Sequence, residues 1–367
     1  MKILSVVGTR PEAVKMAPVL QRLGRTAGLD SRLCVTAQHR QMLDQVLSLF
    51  AIRPDYDLDL MREDQSLAEL SAAIFTRLDP VLADFQPDWV LAQGDTTTVA
   101  IASLLAYYRR IRFGHVEAGL RTRDKWQPFP EEINRRVAGV VADLHFAPTE
   151  WARANLLREG VEEACIRVTG NPVIDALKVV AAQPMPAQVA SLLAGLHGRR
   201  LILVTAHRRE NFGRPLEDIC SALLRLASRG DVEIIYPVHL NPNVQGPVYR
   251  LLKDAPHVTL LPPLDYLPLI HLMKNAALVL TDSGGIQEEA PAFGVPALVL
   301  RAVTERPEGI EAGVLKLVGT DADRIVEEST RLLDDPAAHA AMARAVNPYG
   351  DGRAAERIVA ALLDFAA

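Results

Sequence analysis

Short apolar runs alternate with helix-period segments along the whole chain, and this alternation restricts the fold more than any other feature. In the first half the runs fall at residues 3–7, 32–36, 89–92, 112–116, 144–147 and 166–168. In the second half they fall at 201–205, 233–238, 258–261, 278–281, 297–300 and 315–318. Uninterrupted apolar runs bounded by turn residues suit strands covered on both faces. Amphipathic stretches such as 42–50 and 216–227 lie between most of them, which is the pattern of parallel sheets with right-handed crossovers. A chain of 367 residues accommodates two such domains. The expected division is 1–170 and 171–352, with the junction at Gly170-Asn171-Pro172. The Pro348, Gly350 and Gly352 break then sets off a last amphipathic helix, 353–367, expected to pack back on the first domain.

Composition narrows the partners. The formal net charge is −5 with no long run of one sign, so the basic stripe that nucleic acid requires is missing. The N-terminal apolar stretch is too short for a signal-peptide core, and no apolar run approaches the roughly 18 residues of a membrane span. A cytoplasmic chain with no membrane association is expected. Three cysteines, Cys34, Cys165 and Cys220, are an odd number without metal spacing and read as reduced, buried thiols. Neither GxxxxGK[ST] nor GxGxxG occurs, which disfavours an ATPase or a nicotinamide enzyme. Histidines and carboxylates do not fall at zinc spacings, so neither metal nor cofactor is expected.

In doubly wound sheets ligands bind beyond the carboxyl ends of the strands, and the residues there are polar and particular in kind. Gly8-Thr9-Arg10-Pro11-Glu12 follows the first run and opens a helix, with Arg10 and Lys15 adding charge where free N–H groups would suit a phosphate; a plain strand–helix turn reads equally well. Asp95 with Thr96, Thr97 and Thr98 either caps the next helix or faces a ligand. Glu117, just past residues 112–116, is harder to read as structural, because a partly buried carboxylate needs a partner. Glu131 and Glu132 open a helix, where acids are ordinary, and Glu131 is spaced to pair with Arg135. In the second half His207-Arg208-Arg209 forms a compact cationic strand end, with His207 able to bind phosphate or donate a proton. Ser283, Gly284 and Gly285 allow backbone N–H groups close to a pyrophosphate, and Glu289 lies one turn further on, within reach of ribose hydroxyls. Arg306 supplies one more guanidinium.

Together these motifs, with His115-Val116-Glu117-Ala118-Gly119-Leu120-Arg121-Thr122, Thr304-Glu305-Arg306-Pro307-Glu308 and Asn347-Pro348-Tyr349-Gly350-Asp351-Gly352, resemble the bacterial non-hydrolysing UDP-N-acetylglucosamine 2-epimerases, in order and over essentially the whole chain. The resemblance implies a GT-B-like α/β fold of two Rossmann-type domains with the active site in the cleft, usually a homodimer. It implies interconversion of UDP-N-acetylglucosamine and UDP-N-acetylmannosamine, a reaction that feeds cell-surface polysaccharide synthesis. It assigns catalysis to Asp95, Glu117, Glu131 and His207, and nucleotide binding to Arg10, Lys15, Ser283, Gly284, Gly285, Glu289 and Arg306. A second UDP-N-acetylglucosamine is implied as activator, at Gln38, Gln41 and His239. The chain departs from the family pattern at Leu264, at Ala302 and at Asp64, where relatives often carry Gln, Asp and Arg.

Carbon 2 of this sugar carries a non-acidic hydrogen and no adjacent carbonyl, so simple deprotonation has a prohibitive barrier. Cleavage of the C1–O bond acidifies that hydrogen, and the expected route is elimination of UDP to a 2-acetamidoglucal followed by re-addition. An epimerase of a modified UDP-sugar such as a diacetamido uronic acid, a glycosyltransferase on the same fold, a hydrolysing relative and a nucleotide-sugar sensor are the rival readings.

Overall fold

The structure is a computed structural model that describes residues 1–36, 40–60, 62 and 64–366, the side chains of 40–42 and 366 excepted. The chain divides into two compact units, Met1–Ala176 with Tyr349–Ala367, and Leu177–Pro348.

The first unit is built on seven parallel strands: β1 (Lys2–Val7), β2 (Asp30–Val35), β3 (Tyr56–Asp57), β4 (Trp89–Gln93), β5 (Arg112–Val116), β6 (Leu144–Ala147) and β7 (Ile166–Val168), in the order β3-β2-β1-β4-β5-β6-β7. β1 and β4 are buried almost end to end, as their unbroken apolar runs require. β3 has no counterpart in the apolar pattern: it is two residues long, half exposed, and docks where Asp55 accepts the Leu33 amide at 2.8 Å. The core beneath this sheet gathers Leu4, Val6, Val90, Phe113 and the buried face of helix Leu67–Phe85. Each such fully buried side chain contributes roughly 1.5–3 kcal/mol.

The second unit carries six parallel strands, β8 (Arg200–Thr205), β9 (Val232–Pro237), β10 (Val258–Leu261), β11 (Leu278–Thr281), β12 (Ala297–Val299) and β13 (Leu315–Leu317), in the order β10-β9-β8-β11-β12-β13. Its core is lined by Ile202, Val204, Tyr236 and Leu280, and by the apolar side of helix Arg214–Ala227.

In each sheet the strand order reverses once, between β1 and β4 and between β8 and β11. Loops leave such a pair in opposite directions and open a crevice at the carboxyl ends. The two crevices are therefore edged by Gly8 to Arg10 with Gly94 to Thr96, and by Ala206 to Arg208 with Asp282 to Gly284.

Helix Ala354–Ala366 belongs to the first unit and packs on helix Arg10–Gly24. Phe365 meets Trp89 edge-on with ring centroids 5.4 Å apart, and Arg112 lies over both rings. The helix starts on a carboxylate far away in sequence: Asp175 accepts the Ala354 amide at 3.1 Å and the Ala355 amide at 2.9 Å. The chain's return is fixed at Gly170 and Gly350, where a Cβ on Gly350 would sit 3.2 Å from the Gly170 Cα, and by the Asn171 amide donating to the Tyr349 carbonyl at 2.7 Å. No helix among the described residues is long and apolar enough to cross a membrane. All three cysteines are free; Cys34 and Cys220 are buried, which pushes both thiols up to about 12. Cys165 differs from expectation in being half-exposed, since it ends the short 3-10 turn Glu163–Cys165 that contributes no buried residue.

Asp175→Ala strips the last helix of its remote cap. Urea unfolding should show a loss of about 1–2 kcal/mol, with amide exchange accelerated first in Ala354–Ala366.

Candidate functional site

Around the first crevice, a side chain at residue 8 has no room. A Cβ there would lie 2.4 Å from the Thr98 hydroxyl oxygen and 2.9 Å from that of Thr36. The turn after β1 can therefore run tight against the helix Thr97–Tyr108 only with glycine. Glu12, in the first turn of helix Arg10–Gly24, accepts the Gly8 amide at 2.7 Å, the Thr9 amide at 2.5 Å and the Thr96 hydroxyl at 2.5 Å. One carboxyl thus ties the turn carrying Arg10 to the turn carrying Asp95. Thr96 also accepts the Val99 amide and is the helix cap, which leaves Asp95 for another partner. That partner is Arg135, whose Nη2 approaches Asp95 Oδ2 at 2.5 Å.

Glu117 stands one residue beyond β5 with φ +65°, a left-handed conformation that costs a non-glycine residue about 1 kcal/mol or more and persists only where surroundings enforce it. Its buried carboxylate accepts Lys15 Nζ at 2.5 Å and Asn171 Nδ2 at 2.9 Å on one oxygen, and Gln93 Nε2 on the other. Lys15, expected beside a phosphate, is seen here as the counter-ion of Glu117. His115 underlies this group. It is buried, its Nε2 is 2.7 Å from the Gly94 carbonyl, and burial pulls its pKa down to about 4, so it is neutral at physiological pH. Glu131 is the first residue of helix Glu131–Val141. Its neighbour Glu132 is wholly buried and accepts the Thr122 and Arg123 amides, at 3.1 and 3.2 Å, and pairs with Arg135 and Arg136. Arg135 thus braces Asp95 and Glu132 together.

In the second unit, Asp282 follows β11 and accepts the His207 and Arg208 amides, each at 2.8 Å, and Asn211 Nδ2 at 3.0 Å. His207 is stacked on His239, with ring centroids 5.2 Å apart and 14° between planes. Ser283 precedes helix Gly284–Ala292, whose first N–H groups face the same strand end. Glycine at 284 leaves room for the Arg306 side chain: a Cβ there would meet Arg306 Nη1 at 2.8 Å and displace it. Arg306 is buried between Glu288 and Glu305, each at 2.6 Å. Burial pushes the Glu305 carboxyl up, but Arg306 and Arg301 outweigh it and bring it to about 2. Glu289 is buried and accepts the Tyr266 hydroxyl at 2.9 Å. Gln38 and the Gln41 side chain lie outside the described residues; His239 is exposed at the end of β9. Among the described residues no group of three or more His, Cys, Asp and Glu is placed to hold a metal ion.

Gln93, Asn171 and Asp282 carry no role in the sequence although the structure puts them against its candidates, and Arg135, spaced to pair with Glu131, is seen against Asp95 and Glu132. Gln93, Asn171 and Asp282 each lie at or just beyond a strand end, the same signal that picked out Glu117; Arg135 is visible only through its helix face.

Burial pushes the Glu12 carboxyl up to about 7, against the lowering effect of Thr96, Gly8 and Thr9. The unfolded chain ionises this group near 4.5, so between that pH and about 7 the folded state holds the extra proton and stability falls as pH rises. Denaturation of Glu12→Gln across this range should lack that slope, worth on the order of 3 kcal/mol in the parent.

The profile of the family described as UDP-N-acetylglucosamine 2-epimerase matches residues 21–363. The UDP-N-acetylglucosamine 2-epimerase of Escherichia coli (strain K12) is 55% identical over 369 residues, covering 99% of this chain and 98% of that protein. The crystal structure of the Neisseria meningitidis UDP-GlcNAc 2-epimerase bound to UDP-GlcNAc superposes with a TM-score of 0.92 at 47% identity, covering 99% of this chain and 100% of the other. The Methanocaldococcus jannaschii enzyme, solved with UDP-GlcNAc and UDP, gives 0.84 at 33% identity, with 99% of this chain and 100% of that one covered. The two parallel-sheet units, the strand-end carboxylates and these similarities together place the chain in the UDP-N-acetylglucosamine 2-epimerase family.

Proposed function

We propose that this chain is an isomerase that interconverts UDP-N-acetylglucosamine and UDP-N-acetylmannosamine by eliminating and re-adding UDP. The observation that carries the reading, beside family membership, is the pair of braced carboxylates at neighbouring strand ends: Glu117 held by Lys15, Gln93 and Asn171, and Asp95 held by Arg135. A transferase or a sensor has no need of such a set.

The chemistry follows from charge placement. Loss of UDP takes the C1–O electron pair onto a phosphate oxygen, and the C2 hydrogen leaves as a proton. Arg10, Arg306, His207 and the amides at Ser283, Gly284 and Gly285 are the groups that stabilise the departing diphosphate. Asp95, Glu117 and Glu131 exchange the C2 proton and offset positive charge at C1. Lys15 and two amide donors hold the Glu117 carboxyl in place, and burial keeps His115 beside it neutral. Glu289, aligned by Tyr266, is the group assigned to the ribose hydroxyls.

The homodimer is supported by an exposed aromatic and aliphatic face on the first unit. Tyr107 and Tyr108 are 67% and 65% exposed and Val140 is 88% exposed, on helices that pack side by side; Phe75 stacks on Tyr108 at 6.4 Å. Exposed apolar surface of this kind usually marks an interface. The exposed His239, stacked on His207, supports a second UDP-sugar as activator. A cytoplasmic place of action and supply of aminosugar to surface polysaccharide follow from the substrate proposed.

Proton NMR with UDP-N-acetylglucosamine in deuterated water should show UDP-N-acetylmannosamine carrying deuterium at carbon 2 and no free sugar; an unchanged spectrum would refute the reading. Glu117→Gln should lose roughly 10²–10⁴-fold in turnover while still binding UDP, and near-normal turnover would remove Glu117 from the mechanism. Sedimentation of Tyr108→Glu should show a lighter species than the parent, whereas equal coefficients would shift the dimer face elsewhere.

A further inference from the structure

β8 and β11 run in register, with Thr205 opposite Thr281 and their hydroxyl oxygens 2.7 Å apart. His207 and Asp282 therefore leave adjacent strands side by side. Asp282 is completely buried, and its two oxygens have unequal surroundings. Oδ2 takes three donors: the His207 amide, the Arg208 amide and Asn211 Nδ2. Oδ1 is buried with no hydrogen-bond partner among the described residues, and it stands 3.8 Å from His207 Nδ1. A buried carboxylate oxygen without a donor costs about 1–3 kcal/mol or more, and in native structures such atoms usually have a purpose. The ring nitrogen is almost within reach, and a movement of under about 1 Å brings it to ordinary hydrogen-bond length.

We infer that Asp282 is the positioning residue for His207: its Oδ1 accepts a hydrogen bond from Nδ1–H, fixes the tautomer, and stabilises the imidazolium so that Nε2–H faces the ligand. The inference rests on the reaction proposed above. In that reaction the C1–O bond breaks, its electron pair passes to the phosphate oxygen, and that oxygen takes the Nε2 proton, leaving neutral imidazole. On re-addition the same proton returns to Nε2. Asp282 takes no part in the proton transfer and supplies orientation. The two oxygens then have separate duties, Oδ2 shaping the turn from His207 to Asn211 and Oδ1 addressing the imidazole.

The charged groups around His207 pull in both directions. Burial lowers its pKa most; Asp282, from the end of β11, raises it; His239, from the end of β9, and Arg208, in its own turn, lower it. Asp282 is the one group among these that favours the imidazolium.

The test is 15N NMR of histidine-labelled protein as a function of pH, with the His207→Gln spectrum used for assignment. In the parent, neutral His207 should carry its proton on Nδ1. Asp282→Asn retains a carbonyl oxygen for the His207 and Arg208 amides but presents Nδ2 to the ring, so the tautomer should switch and the His207 pKa should fall by about 1–3 units. Turnover of UDP-N-acetylglucosamine by Asp282→Asn should fall about 100-fold with KM nearly unchanged, and its alkaline limb should move to lower pH in step with the NMR value. A parent His207 protonated on Nε2 when neutral, or an Asp282→Asn protein with unaltered His207 titration, would overturn the inference. The parent measurement stands even where the variant fails to fold. A parent that shows the Nδ1–H tautomer but leaves UDP-N-acetylglucosamine unchanged would sink the proposed reaction and leave the Asp282–His207 link intact.

Discussion

A carboxylate withdrawn from water has to be met by donors, and the way Glu117 is met organises the first unit. Lys15 reaches it from helix Arg10–Gly24, Gln93 from the end of β4, and Asn171 from the loop after β7. Three segments separated by tens of residues converge on two oxygen atoms. Loss of Lys15 would leave the charge uncompensated at a cost of about 3–5 kcal/mol, and loss of either amide donor would cost about 1–3 kcal/mol. The left-handed backbone at Glu117 is tolerated because these donors hold the side chain in place. The carboxylate proposed to exchange the C2 proton is thus also a tie between elements.

The second unit answers the same problem differently. Its strand end is rich in cations, and two of them are set against carboxylates, Arg306 between Glu288 and Glu305 and Arg301 between Glu210 and Glu305, while the backbone of the His207–Arg208 turn is held on Asp282. Pairing of this kind fixes guanidinium geometry before a ligand arrives, which lowers the ordering cost of binding an anion. Two glycines mark where backbone or side chain must come closest. Gly8 lets the turn after β1 pass against Thr98, and Gly284 makes room for Arg306.

Much of this was legible in the sequence because burial writes itself into local pattern. Every strand longer than two residues corresponds to an apolar run, and the candidate residues sit directly after those runs because parallel sheets deliver their carboxyl ends to one side. What stayed hidden depends on side-chain direction across elements. Lys15 and Glu117 lie 102 residues apart, and nothing in either neighbourhood says that a lysine beside an anion-type turn will be seen against a carboxylate. Among Asp95 and the threonines after it, any of which could have capped the next helix, Thr96 is the cap, because its backbone is the extended one at the helix start, and Asp95 is left to Arg135. β3 is invisible because one half-exposed residue, Tyr56, and one exposed residue, Asp57, form no pattern. Cys165 looked like a core thiol, but its 3-10 turn buries none of its three residues.

The return of the chain at Tyr349 has a consequence for how the molecule is made. Residues Leu177–Pro348 are continuous and contain every strand of the second sheet. The first unit is interrupted, and the helix that covers Trp89 and rests on Asp175 is translated only after the second unit is complete. Birth order and completion order are therefore inverted. The half that emerges first must wait with one flank of its sheet bare, while the half that emerges later closes as a unit ahead of it. The interval between them is a window in which the exposed flank is open to chaperones or to wrong pairing. Its length is set by the rate of translation and not by the folding of either sheet.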